Sequence, residues 1–204
     1  MDKILSTLLD LIKVLPLSEL PRNTQLREDI LRRIAAQLLT DDERAELFGL
    51  PAGCRIREGA KILSPENLFI GERCWIGENA VLDASGGLTI GSDCSIGLSV
   101  FVWSHASHLS NLARDNRIGS QMIQKAPTFI GNGVSIFGPS VILPGTKIGD
   151  NVVIRPMSTV SGVVKSGSLV DRNRVISGVF TEERVADAIR RIRRNDESQQ
   201  NRDV

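Results

Sequence analysis

The two histidines of this 204-residue chain, His105 and His108, lie three residues apart in the segment Trp103-Ser104-His105-Ala106-Ser107-His108. Histidine changes its charge near neutral pH and is the side chain most often used as a general base. Either histidine could instead be a polar loop residue that is hydrogen-bonded to the backbone. The segment therefore predicts a proton-transfer site, in which His105 is the preferred base and His108 is the second candidate.

The second half of the chain has a repeat with a period of six residues. Branched aliphatic residues recur at Ile130, Ile136, Ile142, Ile148, Ile154 and Val160. Four residues after the first five of them come Val134, Ser140, Thr146, Val152 and Ser158, which are small or compact. Neither a helix nor a simple strand alternation has this period, and so it predicts a repeating supersecondary unit.

The same repeat extends upstream with interruptions. Its aliphatic positions are Ile70, Ile76, Leu82, Ile90, Ile96 and Val102, and its small positions include Cys74, Cys94 and Ala106. Three units would make one coil, and so residues 54–164 are predicted to form a solenoid of stacked coils. The repeat is lost between Val102 and Ile130, which predicts an excursion loop over residues 104–128. Long polar loops on rigid scaffolds are often functional.

The segments that flank the repeat predict helices. Residues 1–53 are expected to form an N-terminal helical cap on the open end of the solenoid. Its first helix has an apolar face of Ile4, Leu8, Leu9, Ile12 and Leu15, and its second has a stripe of Leu26, Ile30, Ile34, Leu38 and Leu39. Thr24 is the predicted N-cap of the second helix, and Asp41-Asp42 would cap a third that ends at Leu47. Residues 165–204 contain one more helix, over about 181–195, whose basic side is interpreted as a solvated face.

Charge, cysteine content and hydropathy exclude several classes of protein. Lys and Arg number 25 against 24 Asp and Glu, and this balance argues against nucleic-acid binding through a broad basic surface. Three cysteines without paired spacing argue against a disulfide framework. Cys74 and Cys94 are at the small position of the repeat, which favours buried packing over metal or redox chemistry for these two. No segment has the length of a membrane span, and the N-terminus lacks the features of a signal peptide. A cytoplasmic protein is therefore expected.

Two segments resemble the hexapeptide repeat of the left-handed parallel β-helix acyltransferases. They are Ile90-Gly91-Ser92-Asp93-Cys94-Ser95-Ile96-Gly97 and Ile148-Gly149-Asp150-Asn151-Val152-Val153-Ile154. The resemblance covers about residues 54–163. It implies a mainly β fold, a left-handed parallel β-helix solenoid with an N-terminal helical segment and a C-terminal helix. The helical N-terminus is similar to that of the galactoside and maltose type of sugar O-acetyltransferase, which implies acetyl transfer from acetyl-CoA to a saccharide hydroxyl.

The resemblance also implies a place for the catalytic base. In sugar and antibiotic O-acetyltransferases of this class, a strand that ends in a Ser-His step precedes a loop, and the histidine takes the proton of the acceptor hydroxyl. Val102-Trp103-Ser104-His105 resembles that step. His105 would then be the base, with Trp103 and Ser104 beside the substrate. In some relatives the histidine lies further along the chain, which keeps His108 as an alternative.

Further binding residues follow from the same resemblance. On the acceptor side it implies Asn79 and Asp83, although Asp83 is one residue short of the expected position. On the acetyl-CoA side it implies Gly138, Pro156 and Ser161 along the pantetheine arm, with Lys165 as a substitute for the basic residue that is missing at Gly162. No metal is implied. Relatives form homotrimers with active sites between subunits, and the same assembly is expected here.

Two other functions are compatible with the sequence. One is N-acetylation of a nucleotide-linked amino sugar in surface-polysaccharide synthesis, because an amine also needs a base. The other is a non-enzymatic hexapeptide-repeat scaffold, since a fold alone does not name a reaction. A zinc enzyme with three histidine ligands does not fit, because the chain has two histidines.

Overall fold

The fold is a parallel β-solenoid in which three sheets run along the axis of the coils. The structure is a computed structural model that describes residues 6, 7, 10, 20–114 and 122–200. The first predicted helix, from Ile4 to Leu15, and residues 115–121 of the predicted excursion lie largely or wholly outside the described residues.

Each complete coil contributes one short strand to each sheet. Sheet A contains β1 (Arg55–Ile56), β4 (Trp75–Ile76), β7 (Ser95–Ile96), β12 (Ser135–Ile136), β15 (Val153–Ile154) and β18 (Leu169–Asp171), with β19 (Arg174–Ile176) as an antiparallel edge. Sheet B contains β2 (Lys61–Leu63), β5 (Val81–Asp83), β8 (Val100–Val102), β13 (Ser140–Ile142) and β16 (Thr159–Val160). Sheet C contains β3 (Leu68–Ile70), β6 (Leu88–Ile90), β11 (Thr128–Ile130), β14 (Lys147–Ile148) and β17 (Val163–Val164).

The residues of the six-residue repeat form the core of this solenoid. The aliphatic residues from Ile130 to Val160 are at most 4% exposed, and the small residues that follow them are buried as well. Parallel pairing stacks Ile90, Ile130 and Ile148 on successive coils. Burial of one such side chain stabilises the fold by about 1.5–3 kcal/mol. The fold class that the period predicted is therefore confirmed.

Unequal coil lengths explain the interruptions of the repeat. Ile56 and its strand partner Ile76 are 20 residues apart, two more than three hexapeptides would give. Ile96 and its partner Ile136 are 40 residues apart, because the third coil carries the excursion. The parallel pairing also continues beyond residue 164, since Val170 of β18 is buried and pairs with β15.

The excursion leaves the third coil directly after β8. His105–Ala106 (β9) pairs antiparallel with Gln124–Lys125 (β10), and His108–Leu112 forms the short helix α3. The prediction that Ala106 is an inward residue of the coil is wrong. It is only half-buried, because the chain has already left the solenoid at this point.

Helix α1 (Pro21–Ala36) begins three residues before the predicted N-cap. Its N-cap is Leu20 instead of Thr24, since the fixed φ of Pro21 suits the first turn of a helix. The helix buries Leu31, Ala35 and Ala36. The predicted apolar stripe is wrong as a packing surface within this chain, because Leu26, Ile30, Ile34 and Leu38 are between 40% and 87% exposed.

Helix α2 (Asp41–Leu47) covers the N-terminal end of the solenoid. It ends at Leu47 as predicted, but Thr40 is its N-cap, and the Thr40 N–H donates to Glu43 Oε2 at 2.8 Å. Ala45 joins the buried core of the first coil. The open end is therefore closed mainly by α2.

Arg44 of α2 holds the two N-terminal helices and the first coil together. It is 4% exposed, and its guanidinium donates to the carbonyl oxygens of Ala36 at 2.7 Å, Leu39 at 2.5 Å and Ile56 at 2.6 Å. One buried guanidinium therefore provides hydrogen-bond donors for carbonyl oxygens at the C-terminal end of α1, in the segment that follows it, and at the end of β1.

Helix α4 (Glu182–Gln200) extends five residues beyond the predicted end. Val185 is half-buried, but Ile189 and Ile192 are 44% and 61% exposed, and so the predicted apolar side does not pack on this chain. Arg190 pairs with Asp187 on the polar side. Among the helices of the described residues, none is long and apolar enough to cross a membrane.

Candidate active site

His105 and Asp83 form a hydrogen-bonded pair where strands β5 and β8 end. These strands are neighbours in sheet B, with Leu82 paired to Val102. Asp83 is the last residue of β5, and His105 follows β8 at the start of the excursion. The distance from His105 Nδ1 to Asp83 Oδ2 is 2.6 Å. The imidazole is 28% exposed and the carboxylate is fully buried. The pair therefore presents the histidine to solvent, with the carboxylate beneath it.

Protein donors hold both oxygens of the Asp83 carboxylate. Oδ1 accepts from the Ser85 N–H at 3.1 Å and from the Ser85 hydroxyl, and Oδ2 accepts from the Ser104 N–H at 3.0 Å. Burial raises the pKa of the Asp83 carboxyl, but the hydrogen bonds from Ser85, Ser104 and His105 outweigh burial and hold this pKa below its usual value. An ionised carboxylate only accepts hydrogen bonds. His105 Nδ1 therefore donates the hydrogen bond to Asp83, and in the neutral imidazole Nε2 has the free lone pair.

A glycine brings the turn after β5 against the start of the excursion. The Gly86 N–H donates to the Ser104 hydroxyl at 2.8 Å, and a Cβ at position 86 would lie 1.9 Å from the Ser104 carbonyl oxygen. Ser104 itself is fully buried. It was predicted to lie beside the substrate, but the structure puts it beneath the loop, where it fixes the position of the next residue, His105.

Trp103 lies on the outer face of sheet B, on the same side of the chain as His105. Its ring stacks on Phe101, with 6.2 Å between the ring centroids and 5° between the planes. Its carbonyl oxygen accepts from the Thr128 hydroxyl at 2.6 Å. Thr128 was predicted to belong to the excursion, but it is buried at the start of β11. This contact joins the two ends of the excursion beside the half-buried Trp103 ring.

His108 has a different environment from His105. It is the exposed first residue of α3. Within the described part of the chain, no residue hydrogen-bonds to its ring or forms an ion pair with it. Only His105 therefore has a partner that fixes its tautomer and orientation.

The two predicted acceptor residues do not converge in one chain. Asn79 is exposed at the corner before β5, with a φ of 57°, whereas Asp83 is the last residue of that strand. The buried Asp83 carboxylate also has no surface that a sugar could reach.

The predicted acetyl-CoA contacts lie at three corners of the solenoid. Gly138 and Pro156 lie at the same corner on consecutive coils, between sheets A and B. Ser161 follows β16 at the second corner, and Lys165 follows β17 at the third. A single chain therefore brings Gly138 and Pro156 together but not the other two.

Ser161 lies in a polar depression at the end of sheet B. The depression has a volume of about 460 Å³, and Arg172 and Asn173 also line it. Strand β16 is the last strand of sheet B. A guanidinium and a hydroxyl in one depression are suitable donors for a phosphate group.

The three cysteines form a column with one residue on each of the first three coils. Cys54, Cys74 and Cys94 are buried and free, and the Cys74 N–H lies 3.4 Å from Cys54 Sγ. Burial raises the pKa of the Cys54 thiol. The burial predicted for Cys74 and Cys94 is confirmed, and Cys54 is buried as well. In the part of the chain that the structure describes, no group of three or more His, Cys, Asp or Glu side chains could hold a metal ion.

Ser85, Gly86 and Arg44 were not predicted as important residues. The repeat is interrupted at Gly86-Gly87, because Leu82 and Ile90 are eight residues apart instead of six. The two extra residues require a longer turn at this point, and that turn is the one beneath Ser104. The chain contained no comparable signal for Arg44, because its three acceptors are backbone carbonyls of other segments.

Comparisons with known proteins agree with this fold. Residues 127–162 match the family described as bacterial transferase hexapeptide (six repeats). Over 116 residues the chain is 30% identical to WcaF of Escherichia coli (strain K12), whose assignment as a colanic acid biosynthesis acetyltransferase is provisional. The match covers 56% of this chain and 60% of WcaF, and so the chain spans less than two thirds of that relative.

Two solved structures have the same fold. A maltose O-acetyltransferase from Clostridium difficile 630 has a TM-score of 0.60 at 21% identity, over 74% of this chain and 86% of that one. A galactoside acetyltransferase in complex with coenzyme A has a TM-score of 0.55 at 24% identity, over 79% of this chain and 84% of that one.

Stacked coils with a loop that carries a histidine beside a buried carboxylate define a solenoid protein with a candidate acid-base site. Residues 127–162 match the bacterial transferase hexapeptide repeat, and the chain is similar in sequence or fold to the acetyltransferases named above.

Proposed function

We propose that this chain is an acetyl-CoA-dependent O-acetyltransferase that acts on a saccharide hydroxyl, with His105 as the general base. The observation that carries the proposal is the pairing of His105 with the buried Asp83 where the excursion begins. The similarity to hexapeptide-repeat acetyltransferases supports the acetyl donor, and the names of the maltose, galactoside and colanic acid relatives support a saccharide acceptor.

The His105–Asp83 pair can move one proton through the reaction. His105 Nε2 accepts the proton of the acceptor hydroxyl while that oxygen attacks the thioester carbonyl carbon. The carbon–sulfur bond then breaks, and the imidazolium returns the proton to the leaving thiolate. The Asp83 carboxylate stabilises the imidazolium between the two steps, as in other histidine–carboxylate pairs. Assistance of this kind contributes roughly 10²–10⁴-fold to a rate.

A homotrimer with active sites between subunits is part of the proposal. On the outer face of sheet C, Phe69, Phe129 and Val163 are 67%, 42% and 73% exposed and alternate with Thr89 and Lys147. Exposed apolar side chains among polar ones on one face are compatible with a surface that another subunit covers. A second subunit would also bring further corners of the solenoid towards the one that carries Gly138 and Pro156. Sedimentation tests this assembly, and a fully active monomer at micromolar concentration would contradict it.

The proposed reaction is tested by thiol release from acetyl-CoA against a panel of sugars, oligosaccharides, nucleotide sugars and antibiotics. Thiol release with a saccharide, together with an ester product in the mass spectrum, is the expected result. An amide product from nucleotide-linked amino sugars alone would replace the proposal with N-acetylation. No release with any acceptor, from a folded protein, would favour a scaffold.

A further inference from the structure

A groove of about 320 Å³ lies between helix α1 and the first coil. One face of α1 lines it with Arg22, Leu26, Asp29 and Arg33, which recur at helical spacing. The coil contributes Leu63, at the end of β2, and Glu66 from the turn that follows. The proposed acetyl transfer makes no use of this groove.

The groove begins one strand of sheet B away from Asp83 and two strands, about 10 Å, away from β8, which His105 follows. Leu63 is the strand partner of Asp83, and the Ala84 N–H donates to the Leu63 carbonyl oxygen at 3.0 Å. Neighbouring strands of a sheet are about 4.8 Å apart. A substrate whose reacting hydroxyl lies at His105 could therefore extend over Leu63 into the groove.

Among the described residues, the charged side chains of the groove have no partner ions. Elsewhere on the solenoid, charges pair between coils, for example Arg73 with Asp93 at 2.7 Å. In the groove, Arg22, Asp29, Arg33 and Glu66 make no ion pair with one another or with any other described residue. Asp29 and Arg33 are nevertheless half-buried. Their hydrogen-bonding groups are therefore available to a ligand.

The mixture of charges in the groove selects the chemistry of that ligand. Two guanidinium groups supply donors and two carboxylates supply acceptors, while Leu26 and Leu63 add apolar surface. A phosphate would be repelled by the carboxylates, and a cation by the arginines. A saccharide hydroxyl both donates and accepts hydrogen bonds, and a sugar ring also has apolar faces. The groove therefore fits a neutral saccharide.

The length of the groove shows that it can hold more than one sugar. Arg22 and Arg33 are 11 residues apart on α1, which corresponds to about 16 Å along the helix axis. That distance is several times the width of one sugar ring. The groove itself begins beyond the position where the acetylated sugar unit would lie.

From this geometry we infer that the acceptor is an oligosaccharide, and that the groove between α1 and the first coil binds the sugar units next to the acetylated one. The inference rests on the proposed function and names its substrate class. Arg33 and Asp29 then determine specificity for chain length, whereas His105 acts on the reacting hydroxyl of any acceptor that reaches it.

The test compares monosaccharides with their trisaccharides in the acetyl-transfer assay. Glucose is paired with maltotriose and cellotriose, galactose with galactotriose, and N-acetylglucosamine with chitotriose. In the wild type we expect kcat/KM for at least one trisaccharide to exceed that for its monosaccharide about tenfold or more. Arg33→Gln and Asp29→Asn should remove most of this preference, about tenfold to 100-fold for a lost charge-assisted hydrogen bond, and leave the monosaccharide within about twofold.

Matched control variants lie on the same helix. Arg32→Gln and Glu28→Gln change neighbouring charges that do not line the groove, and they should keep the wild-type preference. Equal kcat/KM for monosaccharides and trisaccharides, or equal losses for both in Arg33→Gln, would overturn the inference and leave the proposed function intact. If no sugar is acetylated, and none is bound in saturation-transfer NMR, the inference and the proposed function both fail.

Discussion

Replacing Asp83 with asparagine tests whether this carboxylate positions His105 for catalysis. The side chain keeps its size, but it loses the charge that accepts the hydrogen bond from His105 Nδ1 at 2.6 Å. A neutral amide can also present a donor to the imidazole, which would favour the tautomer with the proton on Nε2. In that tautomer the histidine cannot accept the proton of the acceptor.

The expected loss follows from the strength of this one hydrogen bond. Hydrogen bonds to charged groups are worth about 1.5–3 kcal/mol, and about 1.36 kcal/mol corresponds to a tenfold change in rate. We therefore expect Asp83→Asn to lower kcat about 10- to 200-fold. The KM for acetyl-CoA should change less than about twofold, because Asp83 acts on the acceptor proton through His105.

The assay is thiol release at saturating acetyl-CoA, combined with a double-mutant cycle. Asp171→Asn is the matched control, because Asp171 also ends a three-residue strand but pairs with Arg155 at an exposed site, at 3.3 Å. His105→Ala combined with Asp83→Asn should be no slower than His105→Ala alone, within about twofold, since both changes remove the same step. Thermal unfolding of each variant checks the fold.

Two results would refute this account of Asp83. If Asp83→Asn retains kcat within about twofold of the wild type, the carboxylate does not position the base. If the losses of Asp83→Asn and His105→Ala add in the double variant, Asp83 contributes through the scaffold instead of through His105.

Three further predictions concern the scaffold, and each is measured by urea unfolding. Ile142→Asp buries an unpaired charge and should lower the free energy of unfolding by more than about 4 kcal/mol. The control Asn151→Asp, at an exposed corner, should change it by less than about 0.5 kcal/mol. Equal losses in the two variants would contradict the six-residue register. Arg44→Met leaves three carbonyls without their donor and should cost about 3 kcal/mol or more, while the exposed Arg55→Met should cost less than about 1 kcal/mol; similar costs would contradict the role of Arg44. The pKa of the Asp83 carboxyl is lower in the folded than in the unfolded state. Its contribution to the free energy of unfolding is therefore complete above about pH 4 and is lost as the pH falls through the folded pKa. If the free energy of unfolding of Asp83→Asn depends on acid pH in the same way as that of the wild type, this prediction is contradicted.

The solenoid could be predicted because two residues in every six, one aliphatic and one small, must enter a narrow core, and this constraint is visible in the sequence. The packing of the flanking helices could not be predicted from the sequence. The apolar spacing of α1 indicates a helix, but it does not say whether Ile30 and Ile34 face this chain, and the structure leaves them 46% and 54% exposed. Likewise, the apolar residues Ile189 and Ile192 indicate α4 but not a partner for it.

His105 could be selected as the candidate base from composition and position, but its carboxylate partner Asp83 was assigned another role. Asp83 and His105 are 22 residues apart, and they meet because the second coil is two residues longer than three hexapeptides. A repeat counted in sixes does not show that contact. The same limitation affects the acetyl-CoA residues, since counting gives the coil position of Ser161 but not which corners face a common ligand.

The most direct test of the central claim is kcat for His105→Ala and His108→Ala, measured side by side with a saccharide acceptor and acetyl-CoA. We predict that His105→Ala lowers kcat by roughly 10²–10⁴-fold with little change in the KM for acetyl-CoA, because it removes the general base. His108→Ala should stay within about threefold of the wild type, because the His108 ring is exposed and has no hydrogen-bond partner among the described residues. The opposite pattern, or losses of only a few-fold in both variants, would contradict the assignment of His105 as the base.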